Sequence, residues 1–192
     1  VKMRNVFLAI NLPQEQKKTI AAFQKELLGH LPGVKWVPEE NLHLTLVFFG
    51  HLAPEEKTNL CSVLQNSLGE IESFHLEPKG LGVFPSIRRP RVIWVGLVEE
   101  RYLRLLNQSL FRILTEAGFR LDLREFSPHI TLGRVKEKTN KEILPFLMER
   151  NKERRFARFS VTHLDLMESE LKKAGPLYHL LVRFPLREKG ER

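Results

Sequence analysis

The chain has 192 residues, 42% of them hydrophobic, and a formal net charge of +8. That apolar fraction supports a packed core and excludes a wholly disordered chain; the length suits one domain or two small lobes sharing a core. The basic surplus favours an anionic partner such as nucleic acid. Cys61 is the sole cysteine, which excludes an intrachain disulfide and fits a reducing cytosol. No apolar run approaches the roughly 18 residues that span a bilayer.

The segment RNVFLAINL (4–12) is rich in β-favouring residues and reads as a first strand rather than a signal peptide. Residues 13–31 place Ile20, Phe23, Leu27 and Leu28 at helical spacing, with Gly29 as a stop. LHLTLVFF (42–49) is a second strand, and 55–69 a second helix, with Cys61 as a small core residue. Residues 74–84 read as strand and turn. PRVIWVGLV (90–98) is a strand, followed by a helix carrying Leu103, Leu106, Leu110 and Leu114 and ending near Gly118. HITLGRV (129–135) is again a strand. Residues 140–151 form a helix with Pro145 near its start or at a kink. RFSVTHLDLME (158–168) and LYHLLVRFPL (177–186) are late antiparallel strands, and the tail from Arg187 is expected to fray.

A duplication emerges from the spacing. His43 lies 37 residues after Val6, and His129 lies 37 after Val92; the offset between halves is 86. The same offset maps Ile20, Leu27 and Leu28 onto Leu106, Ile113 and Leu114. The expected architecture is α+β and bilobal. Two pseudo-repeated strand–helix–strand lobes, about 4–50 and 90–135, carry antiparallel sheets flanked by helices around a central cleft, within one domain over 1–192.

The repeat carries chemistry. In a strand, residues i and i+2 share a face. His43 and Thr45 therefore point one way and Leu44 and Leu46 the other; His129 and Thr131 repeat this against Ile130 and Leu132. Imidazole titrates near neutrality, so one ring can take a proton while another gives one. Threonine hydroxyls donate to anionic oxygens without carrying charge. Two of each around one cavity suit a phosphodiester, with no cofactor and no metal required. Spacing does not distinguish acid from base.

The paired HLTL and HITL motifs resemble the 2H phosphoesterase superfamily. FLAINLP, VKWVPEENLHLTLVFFG, FSPHITLGR and LMESELKKAGPLYHLLVRFPL are similar to its RNA 2′,3′-cyclic phosphodiesterase branch, historically called 2′-5′ RNA ligase. The resemblance covers nearly the whole chain. It implies hydrolysis of an RNA terminal 2′,3′-cyclic phosphate to a 2′-phosphomonoester, with His43 as proton donor, His129 as proton acceptor, and Thr45 and Thr131 on the phosphate. It also implies that the reverse reaction joins a cyclic end to a 5′-hydroxyl without ATP, in a chain that has no G-x-x-x-x-G-K-[ST] loop.

Arg134 and Phe49 are further substrate-binding candidates. In a regular strand Arg134 points away from His129, and a bulge at Gly133 would redirect it. Phe49 shares the parity of His43 and is placed to stack on a base. Trp36 and Tyr178 are candidates for the cleft walls. Two basic clusters, Arg88, Arg89 and Arg91, and Lys152, Arg154, Arg155 and Arg158, are candidates for guiding an RNA backbone. The expected partner is RNA with a cyclic phosphate end, with no membrane and no obligate protein partner, the chain acting as a monomer. Three alternatives stay open: an RNA-binding module without turnover, a metallohydrolase, and the same chemistry on a small cyclic nucleotide or 2′-5′ oligonucleotide. Chelator sensitivity and turnover separate them.

Overall fold

The structure, a computed structural model, describes residues 4–122, 125–137, 139–172 and 175–188. In chain order the elements are β1 (Arg4–Asn11), α1 (Gln14–Leu28), β2 (Lys35–Trp36), β3 (His43–Gly50), α2 (Pro54–Leu68), β4 (Phe74–Leu76) and β5 (Pro78–Phe84). Then follow β6 (Val92–Leu97), α3 (Arg101–Glu116), β7 (Ile130–Arg134), α4 (Leu144–Asn151), β8 (Phe159–Val161), β9 (His163–Lys172) and β10 (Gly175–Pro185). Pro145 sits in the first turn of α4, where its missing N–H costs nothing.

One antiparallel sheet runs β10-β9-β1-β3-β7-β6-β5, with β2 pairing β7; β4 and β8 form a separate ribbon. The two lobes thus meet as one sheet, joined where Leu44 of β3 pairs with Ile130 of β7. The late segment 158–168 divides into β8 and β9, which belong to different sheets. The divide falls at Thr162, whose carbonyl accepts from the Leu186 N–H. The tail is pinned at Arg187, which pairs with Glu72 at 3.0 Å and donates its backbone N–H to Ile71. Residues 189–192 lie outside the described residues.

Leu44, Leu46, Ile130 and Leu132 are buried together with Ile20, Phe23, Leu27 and Leu31 and with Leu103, Leu106, Leu110 and Leu114. These last two sets fall 83 residues apart, so the helices follow a different offset from the motif strands. Leu28, expected inside from its spacing, is 50% exposed, whereas its supposed counterpart Leu114 is buried. The first strands are displaced too. Phe7 pairs with Phe48, and Val92 pairs with Arg134, making Val92 the counterpart of Phe7 rather than of Val6. Deletions and insertions in the connecting loops absorb these differences.

The helices also cross between lobes. Gln24 of α1, 6% exposed, donates to the carbonyl of Leu132 at 2.8 Å and to that of Val37 at 2.9 Å. Asn107 of α3 donates to the carbonyl of Leu46 at 2.7 Å. The helix that follows the first strand of each lobe therefore braces the motif strand of the other. Buried carbonyls left without such a partner are costly.

Candidate active site

Pairing of Leu44 with Ile130 sets the site. In an antiparallel register around that pair, His43 lies across from Thr131 and Thr45 across from His129. All four point to the face opposite the buried leucines and isoleucine, and each is partly exposed. The four motif residues thus meet over the boundary between the lobes.

The two imidazoles are anchored alike. His43 Nδ1 lies 2.7 Å from the carbonyl oxygen of Asn41, and His129 Nδ1 lies 2.7 Å from that of Ser127. A carbonyl has no proton to give, so each Nδ1 carries one and donates it. In the neutral ring Nε2 is then the free base, presented to the cleft. His43 Nε2 is 3.1 Å from the Thr45 hydroxyl. Burial pushes the pKa of His43 down, against the raising effect of its bond to Asn41; the charges of Lys17 and His129 push it down further. Burial likewise lowers His129, with the Arg134 charge adding to it and the Ser127 bond opposing it.

Aromatic rings wall each histidine. The His43 ring centroid is 5.1 Å from Phe7 and 5.3 Å from Tyr178, the latter edge-on. His129 is 4.9 Å from Phe84, edge-on, and 6.4 Å from Trp94. The Trp94 ring occupies the space above Gly82, where a Cβ would stand 2.2 Å from it. Phe7, Phe84 and Trp94 carry no motif. Alternation along β1 and β6, read once the motif strands are placed beside them, is the signal that finds Phe7 and Trp94. Tyr178, a cleft candidate from the sequence, reaches the site from β10, and its phenol senses the Arg134 charge. Trp36 packs against the core near Gly133 and does not wall the cleft.

Both motif strands bulge at the same place. In β3 the register slips between the Ala9–Thr45 and Leu8–Val47 pairs; in β7 it slips between Trp94–Thr131 and Ile93–Gly133. Leu46 and Leu132, fourth in their motifs, are the extra residues. Each bulge reverses the parity beyond it. Phe49 is therefore turned into the core, 8% exposed, against Phe119, and the parity expectation for it is corrected. Phe48 takes the cleft face instead, 48% exposed. By the same slip Arg134 turns to the cleft, and its charge is felt by both His129 and Tyr178. Gly133 is required beside the bulge, since a Cβ there would stand 2.6 Å from the Val34 side chain.

Beyond His43 the site continues into a polar row. Asn11, paired with His43 in register, donates to the Asp165 carboxylate at 2.6 Å. Arg183 grips the same carboxylate at 2.8 and 2.9 Å. Burial alone would raise the Asp165 pKa; Arg183 and Asn11 outweigh it and hold the group below the ordinary range. Lys17 donates to the carbonyl of Glu40 at 2.7 Å, and its charge reaches both His43 and Asp165. Among the described residues no three His, Cys, Asp or Glu side chains converge as metal ligands. No helix among them is long and apolar enough to cross a membrane.

Two repeated lobes that present paired His-x-Thr strands to one shared cleft define the two-histidine, or 2H, phosphoesterase class. The chain belongs to the LigT like phosphoesterase family, whose model matches residues 10–94 and again 95–178. It is 35% identical over 176 residues to an RNA 2′,3′-cyclic phosphodiesterase of Methanocaldococcus jannaschii, covering 92% of this chain and 97% of the relative. A protein of the same name from Methanothermobacter thermautotrophicus is 34% identical, covering 90% and 93%. Among solved structures, a Thermus thermophilus protein superposes with a TM-score of 0.81 at 30% identity, covering 96% of this chain and 99% of that one. E. coli LigT complexed with 3′-AMP superposes with a TM-score of 0.75 at 25% identity, covering 96% and 99%.

Proposed function

We propose that this protein hydrolyses the 2′,3′-cyclic phosphate at the end of an RNA strand to a 2′-phosphomonoester by histidine acid–base catalysis, without a metal ion. The observation that carries this reading is the matched anchoring of the imidazoles: both Nδ1 atoms are committed to backbone carbonyls, which leaves Nε2 to exchange protons on two rings that share one face of adjoining strands. The names of the relatives support the choice of substrate.

In the reaction His129 Nε2 takes a proton from water as the water oxygen bonds to phosphorus. The bond from phosphorus to O3′ breaks, and His43 Nε2–H delivers its proton to that oxygen. The adjacent Arg134 charge favours neutral His129, the form that accepts a proton. The His43 shift is dominated by burial, and a phosphodiester anion bound beside it opposes that shift. Thr45 and Thr131 donate to the non-bridging oxygens, and Arg134 adds a charged donor. Phe48, in place of Phe49, is the stacking surface for the terminal base. With a 5′-hydroxyl in place of water the same groups keep their roles: His129 takes the hydroxyl proton, the bond from phosphorus to O3′ breaks, His43 protonates O3′, and a 2′-5′ linkage forms. One chain carries both histidines of one cleft, so a monomer with a single bilobal domain holds a complete site. The single cysteine fits action in the cytosol.

The test is incubation of an RNA ending in a 2′,3′-cyclic phosphate with the protein in EDTA. The expected product is the 2′-phosphate. A 3′-phosphate, activity that disappears with the chelator, or binding without turnover would each replace this reading with another.

A further inference from the structure

The basic surplus is not spread evenly, and its distribution separates the two clusters of cations. Around residues 149–158 the cations are largely matched by carboxylates. Arg154 forks onto Glu26 at 2.6 and 2.8 Å, Arg155 meets Glu77 at 2.8 Å, Lys152 meets Glu149 at 2.5 Å, and Lys79 meets Glu153 at 2.6 Å. Arg154 also lies over the Phe23 ring at 4.3 Å. These side chains hold α1, α4 and β5 to one another.

The cations of the β5–β6 loop differ. Arg88, Arg89 and Arg91 are exposed, and among the described residues none lies within ion-pair distance of a carboxylate; the same holds for Lys35 and Arg134. The loop leaves the sheet directly at the site. It begins after Phe84, whose ring packs on His129, and returns at Val92, which pairs with Arg134. It is held in a turn by bonds from the Arg89 N–H to Ser86 and from the Arg91 N–H to Phe84, and the Arg91 carbonyl accepts from the Val135 N–H. Lys35 pairs with Arg134 across β2 and β7 and so shares its face. Its ammonium stands 3.8 Å from where a Cβ would be on Gly175, in β10. Asn41 donates to the carbonyl of Pro176 at 3.3 Å nearby.

We propose that Lys35, Arg134 and the arginines of the β5–β6 loop form a track for the sugar–phosphate backbone of single-stranded RNA. Nucleotides on the 5′ side of the reacting end leave the cleft over the second lobe. Unpaired cations in a row gain most from phosphate contact, because no internal ion pair has to be broken and condensed counterions are released. Which end of the RNA sits in the cleft rests on the phosphodiesterase reading; the track itself does not.

The test is fluorescence anisotropy with a 5′-labelled single-stranded RNA ending in a 2′-phosphate, which is not consumed, titrated at several salt concentrations. Removing two phosphate contacts by Arg88→Ala with Arg89→Ala should lower the slope of log affinity against log salt by about 1.4, at about 0.7 per contact for single strands. Arg155→Ala, in the other cluster and paired with Glu77, should leave the slope unchanged, and Arg88→Lys with Arg89→Lys should retain it. In turnover, the double alanine variant should lose about tenfold in kcat/KM on an oligonucleotide but not on a 2′,3′-cyclic mononucleotide. An unchanged slope, an equal drop for Arg155→Ala, or an equal loss on the mononucleotide would overturn the track. If the wild type turns over no cyclic phosphate, the phosphodiesterase reading fails while the anisotropy still decides where RNA lies.

Discussion

The two lobes agree in how they present a histidine and a threonine and differ in what stands beside that pair. Each has an imidazole anchored through Nδ1 to the carbonyl two residues earlier, a threonine beside it, and a bulge at the fourth motif residue. The residue turned to the cleft beyond the bulge is an aromatic ring in the first lobe, Phe48, and a guanidinium in the second, Arg134. Beside the threonine, the first lobe has the small Ala9 and the second has the Trp94 ring. A duplicated scaffold thus keeps the geometry that proton transfer in both directions requires. On the proposed reading, it discards symmetry where a nucleotide, with a base at one end and a phosphate at the other, has none.

The comparison can be broken first at its symmetric part. His43→Ala and His129→Ala should each reduce kcat by about 10²–10⁴-fold, the usual range for a positioned acid or base, with unchanged thermal unfolding. Near-wild-type rates in either would remove the shared proton chemistry. Arg134→Ala tests the asymmetric part and should cost about 10–100-fold in kcat/KM, as the loss of a charged hydrogen bond of about 1.5–3 kcal/mol does. It also carries a pH signature. Both histidines are shifted below 6.5 in the free protein, so the kcat/KM optimum should fall on the acid side of neutrality, with His129 neutral and His43 protonated. Removing the Arg134 charge lets the His129 pKa rise, so the acid limb should move to higher pH. An acid limb that stays fixed would detach Arg134 from His129.

The cross-lobe braces should cost stability rather than chemistry. Gln24→Ala and Asn107→Ala each strip a donor from a carbonyl at or beside a bulge and should lower unfolding free energy by about 1–3 kcal/mol in urea titrations. If α1 and α3 brace the bulges independently, the two losses should add. Phe48→Ala should have the smallest effect, about 1 kcal/mol in substrate affinity, felt on nucleotides and not on inorganic phosphate. Loss of phosphate binding in that variant would mean that the ring shapes the cleft rather than stacking on a base.

The motif residues were legible because strand alternation is a local rule: His43 with Thr45, and His129 with Thr131, need nothing beyond their own strand to share a face. The repeat was legible because the two motifs are long and alike. The bulges were not, since an extra residue is defined by the neighbouring strand. Counting parity past Leu46 therefore led to Phe49, while the cleft received Phe48. For Arg134 the possibility of a bulge was visible in Gly133, although the slip lies one residue earlier, at Leu132. One offset of 86 for the whole repeat also failed, because helix registers drift when loops change length, leaving Leu28 in solvent. The difference between the two basic clusters was invisible for a physical reason: Arg154 and Glu26 lie 128 residues apart in sequence and meet only in the fold. Splitting of the segment 158–168 into β8 and β9 likewise depends on which sheet each half finds.

The central claim is that the two anchored histidines act as one catalytic unit, and single-turnover rates test it most directly. His43→Ala, His129→Ala and the double variant would be compared on an RNA ending in a 2′,3′-cyclic phosphate, in EDTA. The double variant should be no slower than the slower single variant, because either change alone already disables the one step in which water loses its proton and O3′ gains one. Losses that multiply in the double variant would contradict the account and assign the two proton transfers to separate steps.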